Sequence, residues 1–80
     1  MPRPTPSTAD PIDHFIGDAV RARRLAIGVS QNALAKALGV SFQQVQKYEL
    51  GQNRIATSRL IHIARALDCK ITDFIPEDDR

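Results

Sequence analysis

Twenty residues, 31–50 (QNALAKALGVSFQQVQKYEL), restrict this chain more than any other stretch. Two short apolar patterns of helical period meet at Gly39. Leu34 and Leu38 give the first segment a one-face stripe, Val45 and Tyr48 give the second, and Val40 stands at the corner. Ala35 is small where a second helix would press closest. Gly39 sits where the chain must turn sharply, through a positive φ. Ser30 and Ser41 precede the two segments as N-caps, and Gln44 completes a Ser-x-x-Gln capping box with Ser41. Each position is a weak signal, but together they specify two helices crossing at a tight corner.

The flanking sequence supplies more helices. Asp10 is an N-cap, Pro11 the first helical residue and Asp13 a first-turn acid. Ile12, Ile16, Val20 and Ile27 fall close to one face, with Phe15 and Ala19 beside them, until Gly28 ends the helix. After the loop GQNRIA, a fourth helix is expected over about 57–67, capped by Ala56 or Thr57, with Leu60, Ile63, Ala64 and Leu67 inward. Residues 71–75 can form one last turn, closed by Pro76. No stretch reads as a strand and no repeat is present. The expectation is an all-α, compact five-helix domain over 11–75, with a disordered N-terminal tail over 1–10 and an acidic C-terminal tail over 76–80. The predicted core is Val20, Leu34, Ala35, Leu38, Val45, Tyr48, Leu60, Ile63, Ala64 and Leu67.

Eighty residues make one domain, near the lower limit for an unaided hydrophobic core. A single cysteine rules out an internal disulfide and fits a reducing cytoplasm. The apolar runs are too short to span a bilayer, and the N-terminus lacks the apolar stretch of a signal peptide. Residues 11–75 carry nine Lys or Arg against five acids, a net charge of +4, and the last five residues take two of those charges back. A modestly basic body suits a polyanion without demanding one.

Two helices joined in this way form a helix-turn-helix, whose second helix is shaped for the major groove of DNA. The motifs RARRLAIGVSQNALAKALGVS, VQKYELGQNRI and LIHIARALDC, in this order and spacing, resemble the phage-repressor and Cro family, also called the Xre family. The resemblance runs from about residue 16 to 75 and implies the lambda-repressor-like fold. It also implies a DNA-binding transcriptional regulator, and covers prophage repressors, restriction–modification controllers, antitoxins and chromosomal regulators alike.

Residue roles follow from the resemblance. Gln31 opens the second helix, where the family uses a glutamine to bond a phosphate and brace the recognition helix; a helix N-terminus is a ready phosphate cradle. The bland alternative for Gln31 is a solvated polar residue. The third helix would be the recognition helix, with Ser41, Phe42, Gln43, Gln46 and Lys47 set to read bases and Gln44 set on a phosphate. Glutamine can bridge adenine N6 and N7, lysine can reach guanine O6 and N7, and an apolar ring can cover a thymine methyl. A merely solvated face is the alternative, and Phe42 argues against it, since its ring either meets DNA or folds back on the second helix. Asn53 and Arg54 lie in the following loop, where the family grips the backbone; Lys36 and Arg59 are weaker candidates. Arg24 and Glu49 are expected to pair structurally. Glu49 is the only acid between Asp18 and Asp68, and a free carboxylate facing DNA would repel phosphate. Arg3 offers weak support for a basic arm.

Other chemistry is thin. His14 and His62 stand on different helices without a partner at metal-ligand spacing, and Cys69 has no activating base nearby. No metal, no cofactor and no enzymatic activity are expected. A module of this size contacts few base pairs, so a homodimer on a roughly palindromic operator is expected, joined through Leu67, Ile71, Phe74 and Ile75. The competing reading is a protein-interaction module or antitoxin that keeps the fold with little DNA readout. That reading predicts acids or bulky apolar residues on the third-helix face.

Overall fold

In the computed structural model, residues 10–77 are described; residues 1–9 of the tail expected over 1–10, with Arg3, and residues 78–80 of the acidic tail expected over 76–80 lie outside them. Four α-helices follow one another: α1 (Pro11–Ala26), α2 (Gln31–Leu38), α3 (Phe42–Glu49) and α4 (Thr57–Ala66). A one-turn 3₁₀ helix (Ile71–Phe74) completes the set, and there is no strand among the described residues.

The helix starts follow side-chain chemistry. Asp10 Oδ1 accepts from the Ile12 N–H at 2.8 Å, and Ser30 Oγ and Ser41 Oγ accept from the Ala33 and Gln44 N–H groups at 3.0 Å. These bonds satisfy amides that have no partner inside their own helices. The capping box is only half formed, because the Gln44 side chain turns to Asn53 instead of back to Ser41. At the corner, Gly39 has φ +71°, the left-handed conformation that lets α2 stop and α3 start within three residues.

Two arginines close helix C-termini. Arg59 Nη1 donates to the Leu38 carbonyl at the end of α2 at 2.9 Å. Arg23 donates through Nε to Leu67 O and through Nη2 to Asp68 O, both at 2.9 Å, at the end of α4. A guanidinium suits these sites because it carries several donors and a charge that complements the helix dipole.

Val20, Leu34, Ala35, Val45, Leu60, Ile63, Ala64, Leu67 and Phe74 form the core. Leu38 and Tyr48, expected to be fully inside, are half-buried against it. Phe74, expected at a dimer interface, is 1% exposed, and Leu67 is completely enclosed. Both already fill the interior of a single chain and offer no surface to a partner. Of the four residues expected to join two copies, only Ile71, half-buried, and Ile75, exposed, reach the surface.

The face of α1 also differs from the expected stripe. Its buried residues are Gly17, Val20 and Arg24, whereas Ile12 is 54% and Phe15 47% exposed. With 3.6 residues per turn, Asp13, Gly17, Val20 and Arg24 form one line along α1. That line meets α3 and its following loop, while Ile16 and Ala19 pack on the core beside it. Phe15 falls on the far side of the helix.

Candidate nucleic-acid interface

Helix α3 is placed by α1. A Cβ on Gly17 would lie 2.4 Å from the Tyr48 carbonyl oxygen and 2.8 Å from that of Glu49, so only glycine lets the end of α3 come this close. One turn earlier on α1, His14 sits against Gly51, where an added Cβ would lie 2.7 Å from Nδ1 and 2.9 Å from His14 Cα. Gly51 also has φ +73°, so both space and backbone demand glycine there.

One turn beyond Val20, the contact between α1 and α3 is locked by charge. Arg24 donates to Glu49 through Nε to Oε2 at 2.6 Å and through Nη2 to Oε1 at 2.9 Å, and its Nη1 donates to the Val29 carbonyl at 2.9 Å. The two residues are 6% and 3% exposed. Gln31 Nε2 adds a bond to Glu49 Oε1 at 2.9 Å. The Glu49 hydrogen bonds hold the Arg24 guanidinium pKa above its ordinary value, outweighing the opposing effect of burial. No buried side-chain nitrogen or oxygen among the described residues lacks a partner. The network ties the end of α1, the start of α2 and the end of α3 at one point, and it takes the motif's one carboxylate out of solvent.

What α3 leaves outside is polar and cationic. Ser41, Phe42, Gln43 and Lys47 are exposed, and Gln44 and Gln46 are half-exposed. Phe42 keeps 36% of its surface open, so it is not tucked fully against α2. Val45 and Glu49 point inward.

Of the residues expected to grip phosphate, Gln44 and Asn53 are in contact, and the donors of all four are partly engaged within the chain. Gln44 Nε2 donates to Asn53 Oδ1 at 3.1 Å, and Asn53 Nδ2 donates to the Gln52 carbonyl at 3.1 Å. Arg54 pairs with Asp13, with Nη2 at 3.2 Å from Oδ2. The hydrogen bonds to Asp13 raise the Arg54 pKa, so the side chain stays cationic. Gln31 spends one amide N–H on Glu49, bracing α3. Each of these side chains retains at least one further N–H. Lys36 is exposed on α2, while Arg59 is committed to the end of that helix.

Several residues here were not found from the sequence. Gly17 had a visible signal, since glycine in mid-helix is costly unless something must come close. Arg23 and Arg59 had none, because their partners are backbone carbonyls 44 and 21 residues away. Asp13 read as a helix-dipole acid, and nothing local linked it to Arg54.

A helix-turn-helix family model, HTH_3, matches residues 20–74, which hold the whole α2–α3 motif and the Arg24–Glu49 pair. The chain belongs to this family. It is 46% identical over 80 residues to a Rhodospirillum rubrum protein described as an uncharacterized transcriptional regulator in the ATPase CF(0) region, covering all of this chain and 74% of that one. It spans about half the length of other curated relatives it matches, among them an HTH-type transcriptional regulator of Sinorhizobium medicae at 43% identity over 68 residues. Among solved structures, the clp gene regulator ClgR of C. glutamicum superposes with a TM-score of 0.78 at 26% identity, over 81% of this chain and 84% of that one. The restriction-modification controller protein C.AhdI of Aeromonas hydrophila gives 0.73 at 29% identity, over 78% and 94%. The fold also matches 34% of hydroxypropylphosphonic acid epoxidase of S. wedmorenis, with a TM-score of 0.75 at 25% identity over 80% of this chain. Among the described residues no helix is long and apolar enough to cross a membrane, and no three His, Cys, Asp or Glu side chains gather as a metal site.

Proposed function

We propose that this chain is a sequence-specific, double-stranded-DNA-binding transcriptional regulator, a repressor acting in the cytoplasm as a homodimer on a roughly palindromic operator, with no catalytic activity. The carrying observation is the division of charge on α3. Its one carboxylate, Glu49, is buried in an ion pair, while its outer face presents Gln43, Lys47 and Ser41 with Phe42 and no acid. Such a face complements the acceptor-rich edge of the major groove. A protein-binding surface would be expected to carry acids or a larger apolar patch there.

In this reading Gln43, Gln46, Lys47, Ser41 and Phe42 meet base edges. Gln31, Gln44, Asn53 and Arg54 meet phosphates with the donors that the fold leaves them. Because Leu67 and Phe74 are buried, this reading assigns the dimer contact to Ile71 and the exposed Ile75.

The test is selection of bound fragments from the native genome, followed by affinity for the selected site and for random DNA over a salt series. Tighter binding to the selected site, with log affinity falling linearly in log salt, supports the reading. Absence of salt-dependent binding to any duplex would replace it with the interaction-module reading. Sedimentation of an Ile75→Asp variant tests the dimer, which should dissociate while the fold persists.

A further inference from the structure

Asp13 and Arg54 lie 41 residues apart and meet on the rim of the interface. Asp13 stands in the first turn of α1, and its side chain is only 12% exposed. Arg54 lies in the loop after α3, with 75% of its side chain open to solvent. The loop begins at Gly51, which is pressed against His14 of the same α1 turn, so both partners rest on one support.

The contact uses a single edge of the guanidinium. Nε lies 3.3 and 3.4 Å from the two Asp13 oxygens and Nη2 lies 3.2 Å from Oδ2. Among the described residues Nη1 has no hydrogen-bond partner. The neighbouring acid, Asp10, is occupied at the N-cap of α1. A planar fork with five donors can hold one anion along one edge and a second along the other in fixed geometry, whereas a lysine ammonium is a point charge with no such edges.

The geometry points to Asp13 as a positioning residue for Arg54: its carboxylate holds the Nε–Nη2 edge and leaves the Nη1 edge aimed at a DNA phosphate. This inference rests on the DNA-binding reading above. It explains why an acid sits beside a surface that should meet a polyanion. A long, exposed arginine loses rotamer freedom when it binds, and a carboxylate that restrains it beforehand lowers that cost. The bridging guanidinium also masks the Asp13 charge from the phosphate.

The experiment measures duplex affinity for Arg54→Lys in two backgrounds, wild type and Asp13→Asn, using the full chain and the selected site. Arg54→Lys keeps the charge and removes the fork. In the wild-type background it should weaken binding about fivefold, and in the Asp13→Asn background less than about twofold, a coupling of the size seen for contacting residues. An equal loss in both backgrounds overturns the positioning role and leaves the DNA-binding reading intact. Tighter binding by Asp13→Asn alone, with a larger Arg54→Lys penalty in that background, also overturns it, because the carboxylate would then be competing with phosphate. A wild type without salt-dependent duplex binding removes both this inference and the reading beneath it.

Discussion

Helix α1 carries two arginine–carboxylate pairs, one toward each end, and they differ in everything except chemistry. Arg24–Glu49 is buried, bidentate and short, with the third guanidinium nitrogen and a glutamine amide completing the network. Asp13–Arg54 is longer, and its arginine is mostly in water. Two charges taken out of water must satisfy each other fully, so the inner pair is fixed in one arrangement and losing either partner strands the other. An exposed pair costs little to make or break, because solvent and salt screen it. Its arginine can therefore be shared with a ligand. The same two residue types hold α3 at one place and leave a charge available at another, and burial alone separates the roles.

The largest effect should come from the inner pair. Glu49→Gln leaves the Arg24 charge buried without its counter-ion and should cost about 3–5 kcal/mol in denaturant unfolding. A loss well under 1 kcal/mol would mean that the pair is no more structural than the outer one. Between the two pairs, Gly17→Ala places a methyl against the Tyr48 and Glu49 carbonyls. Separating α1 from the end of α3 should cost about 1–3 kcal/mol, and Ala35→Leu should cost a similar amount at the α2–α3 crossing. An unchanged melting temperature for Gly17→Ala would show that α1 does not strap α3 in this way.

On the outer face the effects move from stability to readout. Lys47→Ala should leave melting unchanged and remove about 1–3 kcal/mol of discrimination at one or two base pairs. Equal weakening on operator and random DNA would assign Lys47 to phosphate instead. The smallest effect belongs to Arg54→Ala, expected to leave the melting transition where it is and reduce the salt slope by about one unit on every duplex. A destabilised Arg54→Ala protein would erase the contrast between the pairs.

Much of this molecule was legible in advance because its signals are local. The caps at Asp10, Ser30 and Ser41 each reach an amide two or three residues on, and Gly39 needs only its own backbone to turn. The α2–α3 stripe repeats at helical spacing, so its inward residues declare themselves. The resemblance added the Arg24 and Glu49 positions, which no local pattern connects.

Position along the chain carried little information where contacts are distant. The apolar Ile12 and Phe15 favoured a face of α1 that the fold leaves in solvent. The true inward line is set by Gly17 and Arg24, where α3 must approach backbone to backbone. Phe74 was expected to join two copies of the chain, but it fills the core, because α1 and α4 leave an apolar site for it. Arg54 was expected on the DNA backbone, Arg59 was a weaker candidate for the same role, and Arg23 had no role assigned. Arg23 and Arg59 close helix ends and Arg54 pairs with Asp13. The sequence by itself determined the helices, their caps and the corner between α2 and α3, since each depends on neighbours within a turn. Only tertiary structure decided which face of α1 turns inward and which charges are spent inside the fold. Those outcomes depend on distances between residues 21 to 45 positions apart, and on the water that burial removes.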